Sequence, residues 1–296
     1  MGRLAELLDN LARQEGWNPT PVEGVGVYRA SEYRGREPLC YNQGLIIVGQ
    51  GEKRVFFRDQ IYKYNPDTYL VLSVPLPAEC ETYASAEEPL LAMTVDIDVT
   101  TVNRIIGLMG DHLDHELLEH GRKHAGLYTA RVTPAIGGTA QRLLEALQDP
   151  LEAGVLGKSL VFELLFRVMC GENAASLYAL AMKNTNLSRI DKALKLIHSD
   201  YQQGLTVDTL SSLVNMSPSA FHRAFQDVTS SSPIQYIKKI RLNKAKDLLL
   251  GQNGVRVNEV ASVVGYESAA QFSREFKRYY GSSPKEFAKK ELVELA

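Results

Sequence analysis

The pattern of apolar and polar positions changes character near residue 100. From about residue 20 to 100 the apolar residues come in short runs, "GLIIVGQGEKRVFF", "QIYKYN", "TYLVLSV" and "LLAMTVDID". These runs are rich in β-branched and aromatic side chains and are punctuated by Gly, Pro, Asn and Asp, which predicts strands. Several short strands at this spacing predict a small barrel or sandwich. From "TTVNRIIGLMG" to "LYALAMK" the period lengthens. "TAQRLLEALQ" and "GKSLVFELLFRVMCG" carry Leu, Val and Phe at i, i+3 and i+4, one face of a helix. The predicted class is α+β: a β-rich barrel over about 20–100 with trailing helices over about 101–182, a polar linker at 183–188 ("KNTNLS"), and an all-α domain over 189–296.

Helix boundaries in the last third are marked by capping residues. Ser188 is placed to cap "RIDKALKLIHSDY" and Thr206 to cap "VDTLSSLV". Ser217-Pro218, Ser232-Pro233 and Ser283-Pro284 each open a helix: the hydroxyl satisfies one free amide and the proline omits another that would have had no partner. Gly251 closes the long helix, and Gly265 suits a left-handed cap after "VNEVASVV".

Within this region one object is built twice. "FHRAFQDVTSSSPIQY" (221–236) and "FSREFKRYYGSSPKEF" (272–287) share Phe, Arg, Phe, Ser, Ser and Pro at identical spacing. Each copy reads as a short helix, a tight turn, a second helix and then a Ser-Pro helix, so each is a helix-turn-helix whose second helix suits a DNA major groove. The i, i+4 Phe pairs Phe221/Phe225 and Phe272/Phe276 face inward. The opposite faces carry Ser219, His222, Arg223 and Gln226, then Gln271, Ser273, Arg274 and Lys277. Between the copies Pro233 to Leu250 would span roughly 27 Å as a helix. The two second helices would then lie about 34 Å apart, one turn of B-DNA. Lys238, Lys239, Arg241, Lys244 and Lys246 would line the phosphates between them.

Charge sharpens this picture. From Leu187 onward 16 Lys and Arg stand against 11 Asp and Glu, a balance of +5, whereas the preceding residues balance at −7. A basic module beside an acidic one suits a polyanion reader attached to a control domain. No run approaches eighteen uncharged apolar residues, so no segment is expected to span a membrane. The opening "MGRLAELLDNLARQEGW" reads as a surface helix rather than a secretory signal. Cys40, Cys80 and Cys170 form no C-x-x-C pair and read as reduced, mostly buried thiols of a cytoplasmic protein, with a redox role for one of them as the alternative. No G-x-S-x-G, phosphate loop or spaced metal site is present, so enzyme, cofactor and metal are all expected to be absent.

The densest stretch, "VNEVASVVGYESAAQFSREFKRYYGSSPKEFAKK", resembles the signature of the AraC/XylS transcription regulators, "A..vGy.s...Fsr.Fk...G.sP..f". "SPSAFHRAFQDVTSSSPIQYIKKIRLNKAKDLL" is similar to the other half of that DNA-binding domain. The segment beginning "EPLCYNQGLIIVGQGEKRVFF" resembles the N-terminal domain of one AraC-type subgroup, a cupin-like fold. The resemblance implies a dimeric promoter-binding regulator, more often an activator, with RNA polymerase and a small-molecule effector as further partners. It implies base contacts from Ser219, His222 and Arg223, then from Ala269, Ala270, Gln271, Ser273 and Arg274. The corresponding phosphate contacts are Ser217, Lys238, Lys239, Lys277 and Arg278. Ser219 departs from many members, in which a larger residue reaches a base.

Three further features each carry two readings. "DHLDHELLEHGRKH" (111–124) gathers four of the six histidines: His120 and His124, at i and i+4, could share a metal with Glu116, while His115 and His120 diverge around a helix, and the alternative is a solvated charged helix face. The H-E-x-x-H spacing fails. Tyr28, Tyr62, Tyr64 and Tyr69 suit either a ligand pocket inside the barrel or ordinary core. Leu160, Leu164, Leu165 and Val168 form a stripe for either core packing or a dimer interface.

Overall fold

The computed structural model describes residues 2–110, 126–182, 185–251 and 256–294. It divides into two compact units, residues 1–36 with 41–188 and residues 37–40 with 189–296. Among the described residues no helix is long and apolar enough to cross a membrane.

The first unit places its strands in two sheets. The strands are β1 Gly16–Pro19, β2 Val25–Ala30, β3 Arg34–Tyr41, β4 Gly44–Gln50, β5 Glu52–Phe57, β6 Gln60–Tyr64, β7 Thr68–Leu72, β8 Leu76–Tyr83, β9 Leu90–Asp96 and β10 Leu127–Arg131. One sheet has the order β1-β2-β9-β4-β7-β10 and the other β3-β8-β5-β6. Strand structure therefore runs from 16 to 131, wider than the expected 20–100. β10 pairs with β7, Leu127 opposite Leu72, a partner chosen by chain topology rather than by local pattern.

Alternation along the strands sorts the side chains. Val25, Val27, Leu45, Ile47, Tyr69, Val71, Met93 and Val95 share a core with Leu7, Leu8, Ile136, Leu143, Leu144, Leu164 and Val168. Those partners come from the helices α1 Arg3–Leu11, α3 Pro134–Ala146 and α4 Pro150–Met169. Each such side chain contributes roughly 1.5–3 kcal/mol by leaving water. Leu160, Leu164, Leu165 and Val168 are all buried, so the α4 stripe is core. The same helix exposes Leu151, Val155, Leu156 and Phe166 elsewhere on its surface. α2 Val99–Met109 is capped by Asp98, whose carboxylate accepts from the amides of Thr100 and Thr101, and α5 Ala175–Ala181 follows α4.

The second unit is helical: α6 Asn186–Asp200, α7 Val207–Leu213, α8 Pro218–Thr229, α9 Pro233–Gly251, α10 Val257–Val263, α11 Ala269–Tyr280 and α12 Pro284–Glu294. α6 starts inside the segment expected to be linker. Ser188 is not its cap but lies in its first turn and donates its amide to the Thr185 hydroxyl at 3.0 Å. Thr185 supplies the acceptor that the sequence reading assigned to Ser188.

Candidate nucleic-acid interface

Both helix-turn-helix units stop their first helix in the same way. Asn215 and Gly265 take left-handed φ of 53° and 88°. The amides of Met216 and Tyr266 then reach back to Ser211 and Ala261 carbonyls at 3.0 and 2.9 Å, and those of Asn215 and Gly265 to Ser212 and Ser262. This pair of bonds satisfies carbonyls that a helix end leaves bare. Gly265 is also held by space: a Cβ there would sit 2.4 Å from the Gln202 carbonyl oxygen. The second helices restart on hydroxyl caps, Ser217 accepting from the Ala220 amide and Ser268 from the Gln271 amide, both at 3.3 Å. From left-handed residue to cap is two positions in the first copy and three in the second. The repeat offset consequently shifts from 50 to 51 across the turn.

The apolar sides of α8 and α11 are equivalent. Phe221 and Phe225 are fully buried with ring centroids 5.5 Å apart, and Phe272 and Phe276 likewise at 5.6 Å. A ring from the following helix closes each pair edge-on: Tyr236 on Phe225 at 5.4 Å and Phe287 on Phe276 at 5.6 Å. Edge-to-face contacts of this kind add about 0.5–1.5 kcal/mol to area burial. The Tyr236 hydroxyl meets His198 Nε2 at 2.8 Å, and burial pushes the imidazole pKa down to about 4.

With the Phe pairs inward, the predicted readers face out. Ser219, His222 and Arg223 on α8 are exposed, as are Ala270, Gln271 and Arg274 on α11. Ala269 and Ser273 are half-buried, and Ala269 packs against the second aromatic core. The Ser217 hydroxyl is occupied by its capping bond. Lys277 and Arg278 are exposed in the last turn of α11, where cations also complement the helix dipole.

The connector differs from the expected row of exposed cations. Lys238 Nζ lies 2.8 Å from Glu275 of α11 and is half-buried. Glu275 also accepts from the Tyr266 hydroxyl at 2.8 Å and the Gln271 amide at 3.4 Å. Burial pushes the Glu275 carboxyl up, but Lys238, Tyr266 and Gln271 together hold it below the usual carboxylate range. Lys239 Nζ donates to the Ser231 hydroxyl at 3.1 Å. Arg241 faces protein, its guanidinium donating to the carbonyls of Tyr201, Gly265 and Gln203 at 2.7–2.8 Å. Lys246 lies over the rings of Tyr280 and Phe287 at 5.8 and 5.7 Å. Of the five, Lys244 is the exposed one. Reading charge from composition alone could not separate these roles. For Arg241 the partners are main-chain carbonyls, which leave no residue signature. For Glu275 the signal was an acid one helical turn after Gln271.

The four tyrosines fall in different parts of the β unit. Tyr28 and Tyr64 meet inside the β unit around Lys53, which is itself buried. The Lys53 ammonium lies 5.2 Å from the Tyr28 ring and 5.9 Å from that of Tyr41, whose hydroxyl is 3.2 Å from that of Tyr64. Tyr62 is half-buried and bonds Gln60. Tyr69 packs in the other core, against the helices. The histidine segment 111–124 lies outside the described residues, and among those described no cluster of His, Cys, Asp and Glu suits a metal. Cys80 is buried, Cys40 half-buried and Cys170 exposed, all as free thiols.

The comparisons with known proteins follow the same division. The chain is 31% identical over 100 residues to the Msm operon regulatory protein of Streptococcus mutans, 34% of this chain and 36% of that relative. It is 30% identical over 135 residues to the raffinose operon regulator RafR of Pediococcus pentosaceus, 46% of this chain and 47% of the relative. A lactose operon transcription activator of Staphylococcus xylosus is 23% identical over 148 residues, 49% of this chain and 52% of the relative. The chain thus spans between about a third and about half of the length of these curated relatives. In fold it is similar to ToxT of Vibrio cholerae, with a TM-score of 0.60 at 13% identity over 89% of this chain and 94% of ToxT. Residues 210–290 match a helix-turn-helix domain. Residues 21–176, more than half of the chain, match the family described as AraC-type transcriptional regulator N-terminus, and the chain belongs to the AraC-type transcriptional regulators.

Proposed function

We propose that this chain is a sequence-specific DNA-binding regulator of transcription that lays α8 and α11 in successive major grooves of promoter DNA. The observation that carries this reading is the pairing of two equivalent helices, each anchored by a buried Phe pair and each presenting an Arg and other polar side chains outward. Arg223 and Arg274 read guanine through N7 and O6, each good bidentate pair giving roughly 1–3 kcal/mol of discrimination. Gln271 reads adenine, Ala270 offers a methyl contact to thymine, and Ser219 and His222 complete the first helix. Ala269 and Ser273, half-buried, contribute at the edge of the contact. Lys277, Arg278 and the Ser217 end of α8 hold phosphates; Lys238 and Lys239 act there chiefly by positioning α11 and the α8–α9 turn.

In this reading residues 1–182 form the effector-responsive and self-associating part, residues 189–296 the DNA reader, and the chain acts as a cytoplasmic dimer without catalytic activity. The lactose-operon relative, an activator by name, supports activation through RNA polymerase as the sign of control. The test is selection of binding sites by the purified protein from random duplexes, followed by Arg274→Ala and Lys277→Ala. Arg274→Ala is expected to relax the sequence preference at one base pair, and Lys277→Ala to weaken specific and random DNA alike. Equal losses on specific and random DNA for both variants would remove the base-reading assignment. Light scattering of the same preparation reads the dimer.

A further inference from the structure

An effector-responsive N-terminal unit needs a place for the effector, and the inference below rests on that reading. A cleft of about 670 Å³ opens where the turn before β2, the end of β9, α2 and α4 meet. That volume suits a small molecule, sites for which run roughly 300–1,000 Å³. Its strand side carries the carboxylates of Glu23 and Asp96. Its helix side carries Arg104 from α2 and Lys158 from α4. Between them lie Val161, Phe162 and Leu165.

The four charges share a cleft yet do not neutralise one another. Among the described residues none of them has an ion pair or a side-chain hydrogen bond. Elsewhere in this unit Arg142 pairs with Glu163 and Lys63 with Glu52, whereas the four cleft side chains are solvent-exposed and, among the described residues, unpaired. The third acid of the cleft, Asp98, caps α2, its carboxylate oxygens engaged by the Thr100 and Thr101 amides at the positive end of the helix. Asp96 is fixed at the wall, its amide donating to the Gly24 carbonyl at 2.7 Å. Partial burial raises its carboxyl pKa, with no cation to offset it. Arg104 is pre-positioned as well, its guanidinium 5.3 Å from the centre of the Phe162 ring.

We propose that this cleft binds a free amino acid, with its ammonium toward Glu23 and Asp96, its carboxylate toward Arg104 and Lys158, and an apolar side chain on Val161, Phe162 and Leu165. A ligand of one sign would face a wall of its own charge, which costs as much as the opposite wall returns. A nucleotide would direct its phosphates toward the two acids. A small zwitterion satisfies both walls at once.

The test uses the full chain, with thermal unfolding and calorimetry against the standard amino acids. For the best binder, its deaminated acid and decarboxylated amine serve as single-charge analogues, 4-methylpentanoate and isoamylamine in the case of leucine. At least one apolar amino acid is expected to bind, and both analogues to bind about tenfold or more weakly. Arg104→Gln and Asp96→Asn are each expected to weaken binding by about tenfold, read as the ligand-induced shift relative to each variant's own unliganded unfolding. No binding at about 10 mM of any amino acid, equal binding of a single-charge analogue, or unchanged affinity in both variants would overturn the proposal. DNA binding without ligand is read in the same preparations. Its persistence without amino-acid binding rejects the cleft alone, whereas amino-acid binding without any DNA preference rejects the regulator reading.

Discussion

Arg241 donates to the carbonyl oxygen of Gly265 at 2.8 Å, and two further N–H groups of the same guanidinium donate to the carbonyls of Tyr201 and Gln203 just before α7. One connector side chain therefore ties the turn of the second helix-turn-helix to the segment that leads into the first. The two copies are joined through space as well as through α9, which keeps the spacing of α8 and α11 fixed. Arg241→Ala leaves three carbonyls without their donor. Hydrogen bonds to a charged group contribute about 1.5–3 kcal/mol each and are not additive, so a loss of roughly 2–4 kcal/mol is expected in the helical unit. Binding to a two-groove site is expected to suffer more than binding to a half-site. An unchanged ratio of the two affinities would show that Arg241 does not set the spacing.

The Lys238–Glu275 pair separates positioning from phosphate contact. Each phosphate neutralised contributes about 0.9 to the slope of log affinity against log salt. Lys277→Ala and Arg278→Ala are each expected to flatten that slope by about this amount. Lys238→Ala is expected to leave the slope nearly unchanged while lowering specific affinity, and Glu275→Gln to reproduce it. A slope change for Lys238→Ala as large as that for Lys277→Ala would place its ammonium on DNA.

The sequence carried much of this interface because its constraints are local. Ser-Pro caps, the Phe spacing and the glycine stop each need only neighbours in the chain, and each is found where its residue type demands. What local pattern does not carry depends on distant partners. Lys238, Arg241 and Lys246 are indistinguishable from Lys244 by pattern, and only folding assigns them to Glu275, to main-chain carbonyls and to aromatic rings. β10 carries no local signal, because its partner β7 lies more than fifty residues away. Strand alternation divides the tyrosines: Tyr69 falls on the helix-packed face, Tyr28 and Tyr64 on the interior one. Lys53, between them, reads in sequence as an ordinary exposed charge.

Asn215 and Gly265 hold equivalent left-handed positions but should tolerate change differently. Asn215 is exposed, and Asn215→Gly is expected to alter stability by no more than a few tenths of a kcal/mol to about 1 kcal/mol. Gly265→Ala meets both a left-handed backbone and the Gln202 carbonyl 2.4 Å from the new Cβ. A loss of about 2 kcal/mol or more is expected, with the α7–α8 copy retaining its structure. Denaturation midpoints of the full-length variants check this, and equal shifts for the two would refute it.

His198 gives the helical unit an acid limit. Tyr236 is fully buried, which raises its hydroxyl pKa well above the ordinary value and keeps it protonated, and the hydroxyl shares a hydrogen bond with His198 Nε2. Burial first, and Lys244 second, hold the imidazole pKa down to about 4, below its ordinary 6.5. Between these values the unfolded chain binds a proton that the folded one refuses. Stability is therefore full above about pH 6.5 and falls as pH drops toward 4, by roughly 2–3 kcal/mol from this group. His198→Gln keeps an acceptor for Tyr236 and removes the titration. The gap in unfolding midpoint between the natural chain and this variant is expected to move in the variant's favour as pH falls from 7 to 4. A gap that stays constant across that range would mean that His198 titrates alike in the folded and unfolded chain.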